Sequence, residues 1–301
     1  MIAKAMAPAR RAKIEQLEGA GVRWETAARP LPAALRPWVV KCEGYGEHSS
    51  QPVARREMPG PRVVLIIELG TPIRVHDPAD EERALSFSGG FVAGLDDRST
   101  LTTHAGAQRG IQIELTPTAA RRCFERPMSE LAGQVVPLVE LLPRRLHTLA
   151  EQLAELPSWD ARLDLVEALL AERIGASRAD TRVAEWALRR IEDCGGSLDL
   201  SKLARELGYS PKHVIALFHE HVGTTPKRFS RIVRFDRLVR HLRSGGQGSW
   251  AELAARFGWF DQAHLANDLK RIALVPASRA RQLLAGPAEV NFFQDDAGSD
   301  P

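Results

Sequence analysis

Apolar positions change their period part-way along the chain. Between Trp24 and Thr116 they come in short runs. Arg62–Leu69 holds Val63, Val64, Leu65, Ile66 and Ile67 and stops at Gly70-Thr71-Pro72, the pattern of a buried strand. Ile111, Ile113 and Leu115 alternate with Gln112 and Glu114, the period of a strand with one face in a core. Ile73–His76, Ala84–Ser88, Gly90–Ala93 and Leu101–His104 are shorter runs bounded by Gly, Asp or Pro. Several short strands at this spacing predict a small barrel or sandwich. The first 23 residues start basic and show no clear period, so a mobile arm is expected, with a short helix over Lys13–Glu18.

Beyond Thr116 the period becomes helical. Thr116-Pro117 reads as an N-cap followed by proline at the first helical position. Helices are expected over 117–125, 138–156 and 159–174. Gly175-Ala176-Ser177-Arg178-Ala179-Asp180 is small and polar, and reads as a linker. The tail from Gly286 has no period, ends acidic, and is expected to be loose.

A repeat lies past residue 180. Leu203-Ala204-Arg205-Glu206-Leu207-Gly208-Tyr209 returns fifty residues later as Leu253-Ala254-Ala255-Arg256-Phe257-Gly258-Trp259. Such a recurrence implies one supersecondary unit used twice. In the first copy Leu200, Leu203, Ala204 and Leu207 form one helical face. Gly208 suits a left-handed C′ position, and Ser210-Pro211 supplies the N-cap and first residue of a second helix, running to about His221. Val214, Leu217, Phe218 and His221 line one side of that helix; Lys212, Ile215, Ala216 and His219 line the other. The result is a helix-turn-helix. The second copy gives Trp250–Phe257, Gly258, an N-cap at Asp261 and a helix to about Ile272. Leu265, Leu269 and Ile272 face inward there; Gln262, Ala263, Ala266, Asn267 and Lys270 face outward. Pro226–Arg243 reads as one long helix between the units, with Phe229, Ile232, Val233 and Leu242 among its apolar positions. A rigid helix carrying two such units can place two recognition helices in successive major-groove segments, about 34 Å apart on B-DNA.

Charge sharpens the picture. Residues 182–282 hold 18 Lys+Arg against 10 Asp+Glu, while the rest holds 23 against 28, so the basic third suits a polyanion partner. Arg228, Arg231, Arg234, Arg237, Arg240 and Arg243 recur every third residue. Three residues advance about 300°, so this row winds around the helix and part of it must be solvated or paired within the protein. The three cysteines, Cys42, Cys123 and Cys194, are far apart and lack Cys-x-x-Cys spacing, which argues against a disulfide framework and a structural zinc site. Cys42 and Cys123 are expected to be buried and inert. His48, His76 and His104, with Glu57 and Glu68, lack the tight His-x-His spacing of a metal site. No Gly-rich phosphate loop, Gly-x-Ser-x-Gly elbow or His-Glu-x-x-His occurs, so neither catalysis nor a cofactor is expected. No apolar run approaches the roughly 20 residues of a membrane span, and the amino terminus lacks a secretory apolar segment, so a cytoplasmic location is expected.

Gly208-Tyr209-Ser210-Pro211-Lys212-His213-Val214, Leu217-Phe218, Val222-Gly223-Thr224-Thr225-Pro226-Lys227, Arg234-Phe235 and Ala254 with Gly258-Trp259-Phe260-Asp261-Gln262-Ala263-His264-Leu265 together resemble the DNA-binding domain of AraC/XylS-type transcriptional regulators. The resemblance covers about 100 residues, roughly 180–282. It implies a seven-helix domain with two helix-turn-helix units and a separate regulatory domain, usually amino-terminal and often a cupin-like β-barrel. Two departures stand out. The family often has Arg in each recognition helix where this chain has Ala216 and Asn267, and the second unit lacks the glycine before its closing proline, so Ile272–Pro276 must turn differently. Arginine reads guanine bidentately, whereas Ile215 and Ala216 suit thymine methyls and Asn267 suits adenine.

The expected architecture is therefore α+β. An arm (1–23) precedes a β-rich, cupin-like regulatory domain with a helical extension (24–175); an all-α DNA-binding domain (181–284) and a tail (286–301) follow. The expected function is sequence-specific binding of double-stranded promoter DNA in transcription regulation. The expected DNA contacts are Lys212, His213, Ile215, Ala216, His219, Lys227, Arg228, Gln262, Ala263, Asn267 and Lys270. Lys227 and Arg228 are assigned to phosphate because they follow a loop at a helix start. A small-molecule effector, a second copy of the chain and RNA polymerase, contacted by an activator, are the other candidate partners. The alternative is a small-molecule-binding or protein-interaction module whose helix-turn-helix units no longer read DNA.

Overall fold

The computed structural model describes residues 10–19, 21–197 and 199–285. Eleven strands lie among these, ten of them ahead of the first helix: β1 (Lys13–Gly19), β2 (Val22–Ala28), β3 (Val39–Ser49), β4 (Val53–Glu57), β5 (Val63–Glu68), β6 (Ile73–Asp77), β7 (Asp80–Phe87), β8 (Phe91–Ala93), β9 (Thr100–His104), β10 (Ala107–Leu115) and β11 (Val135–Pro137). They form two antiparallel sheets, β1-β2-β3-β10-β5-β8-β11 and β4-β9-β6-β7. Ile66 and Phe91 of the larger sheet meet Ile73, Val75 and Phe87 of the smaller one, so the two pack face to face. The barrel-like unit is thus a pair of sheets with open edges.

The alternation in β10 works as its sequence suggests. Ile111, Ile113 and Leu115 are fully buried beneath helices, and Gln112 and Glu114 turn to the other face. Those helices are α1 (Pro117–Phe124), α2 (Leu138–Leu141), α3 (Leu149–Glu155) and α4 (Trp159–Ala176). Thr116 caps α1 by accepting from Ala119 N at 3.1 Å. The single helix expected over 138–156 is broken, because Pro143 cannot donate the backbone bond that would carry the chain through. Arg162, almost fully buried, donates to the carbonyls of Leu153, Ala154 and Leu156 at the end of α3, where Leu153 O also accepts from Leu156 N.

The expected arm and its short helix need correction. Lys13–Glu18 lies in β1, which pairs along its whole length with β2. Just before it, Arg10 bonds Glu167 at 2.7 Å and Ala12 N donates to Asp160 at 2.7 Å, while residues 1–9 of the expected arm lie outside the described residues. The expected loose tail, 286–301, lies outside the described residues.

Among the described residues seven helices follow residue 181: α5 (Arg182–Asp193), α6 (Leu200–Leu207), α7 (Pro211–His221), α8 (Pro226–Arg243), α9 (Trp250–Phe257), α10 (Gln262–Ala273) and α11 (Ala277–Ala285). They do not share one core. Val214, Phe218, Val222, Phe229 and Val233 join the same buried cluster as Ile113, Leu163 and Val166. Phe235, Leu238, Leu253, Trp259, Leu265 and Leu269 form another. The first helix-turn-helix is therefore packed into the core that lies under the larger sheet, and the second has a core of its own.

One close approach governs how α4 meets the sheet. Gly44 of β3 lies beneath the Trp159 ring, where an added Cβ would come within 2.3 Å of the indole. The indole cannot simply swing away. Its Nε1 donates to Glu25 at 2.7 Å, and the guanidinium groups of Arg109 and Arg162 lie 5.0 and 5.1 Å from its ring centre. Gly44→Ala should lower the unfolding free energy by about 1–3 kcal/mol through overpacking, measured as a reduced urea midpoint. An unchanged midpoint would show that the ring has room to move.

Candidate nucleic-acid interface

The turn of the first unit is made as its residues require. Gly208 ends α6 at φ +71°, in the left-handed region that a side chain disfavours. Ser210 then caps α7, accepting from His213 N at 3.2 Å. Asp261 does the same for α10, accepting from His264 N at 2.7 Å, and Gly258 ends α9 at φ +84°. Val214 and Phe218 anchor α7, and Leu265 and Leu269 anchor α10, all fully buried. This anchoring leaves the opposite sides facing solvent. Lys212, His213, Ala216 and His219 are exposed on α7, while Ile215 is half-buried. Gln262, Ala263, Asn267 and Lys270 are exposed on α10. Lys227, at the start of α8, is exposed as well.

Two exposed aromatics next to these helices escaped the sequence reading. Tyr209 packs against His213 with ring centres 4.5 Å apart and planes tilted by 46°, and Phe260, just before the cap of α10, is 93% exposed. A buried polar pair also escaped it: Trp259 Nε1 donates to Asp268 at 2.9 Å beneath α10. The signal for that pair was present, since Asp268 interrupts the apolar face of α10 beside a tryptophan that needs an acceptor.

Arg228 is placed differently from Lys227. Its guanidinium donates to Asp96 at 2.8 Å and to Asp97 at 2.6 Å, two residues of the loop between β8 and β9. Asp97 also pairs with Arg271 of α10 at 2.5 Å and with Arg231 of α8 at 3.3 Å. Its side chain is only 5% exposed. Burial opposes its charge, but hydrogen bonds from Arg228 and Arg271 outweigh burial and hold its carboxyl below the ordinary value. The rest of the arginine row is engaged within the protein. Arg234 donates to Gly196 O and lies over Trp259; Arg237 donates to Gly195 O and lies over Phe257; Arg240 pairs with Asp236. Burial draws the Arg243 pKa below its ordinary value, against the attraction of Glu57 and Asp236. A row that winds around its helix can meet partners on every side, and this one does.

Titratable groups elsewhere are absorbed by the fold. His104 Nε2 lies 3.2 Å from Glu47, His76 contacts Glu81 O and Thr103, and Glu68 accepts from Tyr45 and from Arg109 N. Among the described residues no group of three or more His, Cys, Asp or Glu is placed to hold a metal ion. Burial pushes the Cys42 thiol up to about 12 and the Cys123 thiol up to about 11, so both stay protonated and unreactive near neutral pH. No described helix is long and apolar enough to cross a membrane.

Comparison with known proteins agrees with this geometry. Residues 203–283 match the family model described as a helix-turn-helix domain, and residues 30–137 match one described as a domain of unknown function (DUF6597). The chain is similar to the HTH-type transcriptional regulator GlxA of Rhizobium meliloti (strain 1021), at 31% identity over 210 residues. That alignment covers 65% of this chain and 64% of the relative, so the chain spans less than two thirds of the relative's length. Among solved structures, ToxT from Vibrio cholerae aligns over 82% of this chain and 99% of its own, at 7% identity and a TM-score of 0.44. The C-terminal domain of AraT, a response regulator from Geobacillus stearothermophilus, aligns over 35% of this chain and 88% of its own, at 21% identity and a TM-score of 0.32. The seven helices thus carry two matched helix-turn-helix units, the kind of domain that the family model over residues 203–283 describes. Their arrangement is similar to that of AraC/XylS-type regulators.

The sign of the Asp97 shift sets a stability test. A carboxyl lowered in the folded state adds stability that is complete above the unfolded value, about 3.9, and is lost as pH falls through the folded value. Asp97→Asn should therefore be less stable than the wild type at neutral pH. The expected deficit is about 1–3 kcal/mol, below the figure for a fully buried pair because the three arginines are partly exposed. In urea titrations at decreasing pH the gap should close below that unfolded value. A constant gap would mean that the charge of Asp97 is not what stabilises the fold.

Proposed function

We propose that the chain is a cytoplasmic, sequence-specific transcription regulator that places α7 and α10 in successive major-groove segments of promoter DNA. Residues 24–175 would form its regulatory domain, which senses a small molecule, forms a homodimer, or both, and residues 181–284 its DNA-binding domain. One observation carries the reading. Two units of repeated sequence, joined by α8, each bury one face of their second helix and leave the opposite face to solvent. Lys212, Lys227 and Lys270 supply cations for phosphate, and Asn267 supplies an amide suited to adenine. The departures at Ala216 and Asn267 point away from guanine at the positions these residues face.

An effector would act by favouring one arrangement of the regulatory and DNA-binding regions over another. An apolar cavity of about 20 Å³ lies between the larger sheet and the helices, lined by Leu65, Ile113, Phe124, Leu138, Val166 and Leu170 among others. A small organic ligand needs roughly 300–1,000 Å³. Entry there would require α1 and α4 to move off the sheet.

Fluorescence anisotropy with duplex from the chain's own upstream region tests the reading. Lys227→Ala should weaken binding to all sequences and flatten the plot of log affinity against log salt by about 0.9. Asn267→Ala should weaken only the preferred sequence, by about 1–3 kcal/mol. Equal affinity for upstream and random duplex would defeat sequence specificity. A binding signal without salt dependence would favour a protein-interaction or small-molecule-binding module.

A further inference from the structure

We propose that the Asp96–Asp97 turn of the amino-terminal region is an internal competitor for DNA phosphate that latches Arg228 away from the duplex until it is released. The inference rests on the DNA-binding reading and adds to it the element that restrains binding.

Arg228 is the third residue of α8 and directly follows the exposed Lys227. Thr225 caps this helix, accepting from Arg228 N at 3.2 Å. A helix start of this kind, carrying two adjacent cations, suits an anion. In the folded chain the anion near Arg228 is supplied internally, by two aspartates at 2.8 and 2.6 Å. The guanidinium is still 39% exposed, whereas Asp97 is buried, so a phosphate could approach the arginine from solvent. A carboxylate and a phosphate oxygen make the same demand on a guanidinium, for charge and for paired N–H donors. One guanidinium cannot satisfy both in full.

The latch is also releasable. When Arg228 leaves, Asp97 keeps Arg231 and Arg271, so no buried carboxylate is stranded. Arg231 lies close to both Arg271 and Arg228, and removing one cation from this group relieves like-charge repulsion. The turn is held at its other end by a backbone bond. Ser99 N donates at 2.7 Å to Ile272 O, a carbonyl in the last turn of α10 without a helical partner. Asp97 therefore contacts α8, which closes the first unit, and α10, which reads for the second. Any movement of the β8–β9 loop changes what both units feel.

The test uses the full chain and labelled random-sequence duplex at low salt, because a phosphate contact does not depend on sequence. Asp97→Asn and the milder Asp96→Asn should each bind several-fold more tightly than the wild type. Their salt slope should be steeper by about 0.9, one added phosphate contact. Arg228→Gln should be nearly silent in the wild type and should weaken binding several-fold in the Asp96→Asn background. Circular dichroism melts confirm that each variant is folded, and Asp96→Asn, which leaves Asp97 with Arg231 and Arg271, keeps the test open if Asp97→Asn unfolds. Wild-type and Asp96→Asn proteins that bind with equal affinity and slope overturn the latch alone. Equal losses from Arg228→Gln in both backgrounds do the same. No duplex binding by any of the proteins overturns the DNA reading and the latch with it.

Discussion

The arrangement depends on a core that is not divided at the boundary between strands and helices. Phe218 of α7 and Phe229 of α8 meet edge-on, with ring centres 6.4 Å apart, and both belong to the apolar cluster that continues under the larger sheet. Backbone contact reinforces the join. Gly223, at φ +83°, passes so near Met128 O that a Cβ would come within 2.5 Å of it. A helix seated on such a core cannot tilt without opening apolar surface to water, at about 25 cal/mol per Å². The first unit is therefore positioned by the strand-rich amino-terminal region itself.

The second unit is held by other means. Its core is separate, and it reaches the rest of the molecule through α8, one apolar contact and a set of polar ones. Met58 packs against its apolar cluster from the β4–β5 loop, and Asp97 binds Arg271 from the β8–β9 loop. Ion pairs and single hydrogen bonds can be exchanged for water or phosphate at far lower cost than a packed aromatic pair. The two units thus differ in how firmly the amino-terminal region controls them. The arginines of α8 fit this division. Towards the helix end they bond the backbone of Gly195 and Gly196 and cover the Trp259 and Phe257 rings, whereas at its start they meet a loop from another region.

The repeat, its glycine turns and its caps were legible because they are local. Gly208, Ser210, Gly258 and Asp261 act within a few residues of themselves, and the limits of α7, α8 and α9 follow the sequence pattern to the residue. The strands were legible only where one face is apolar and continuous, as in β5 and β10. β1 has the sequence KIEQLEG and is exposed along its whole length, so nothing in its pattern separates a strand from a helical turn; the pairing with β2 decides it. β3 hides for the opposite reason. Gly44 and Gly46 weaken its strand signal, yet Gly44 is required by Trp159, more than a hundred residues away. Asp97 was invisible for the same cause. A lone acidic pair in a loop gives no sign that three arginines from distant helices will close on it.

The way each unit ends draws these points together. The first unit turns through Gly223 at φ +83° before Pro226, which costs a glycine little. The second lacks that glycine, and Leu274 takes the left-handed conformation instead, at φ +58° before Pro276. A residue with a Cβ adopts that conformation at a cost of roughly 1–2 kcal/mol, so surrounding contacts must hold it there. Those contacts are identifiable: Ser99 N bonds the carbonyl two residues before Leu274, and Asp97 holds Arg271 one residue before that. The same loop that occupies Arg228 thus steadies a strained turn at the end of α10. A change in the β8–β9 loop would act on Arg228 and on the strained end of α10 at once, which ties the ion pairs at the start of α8 to the setting of the second helix-turn-helix unit.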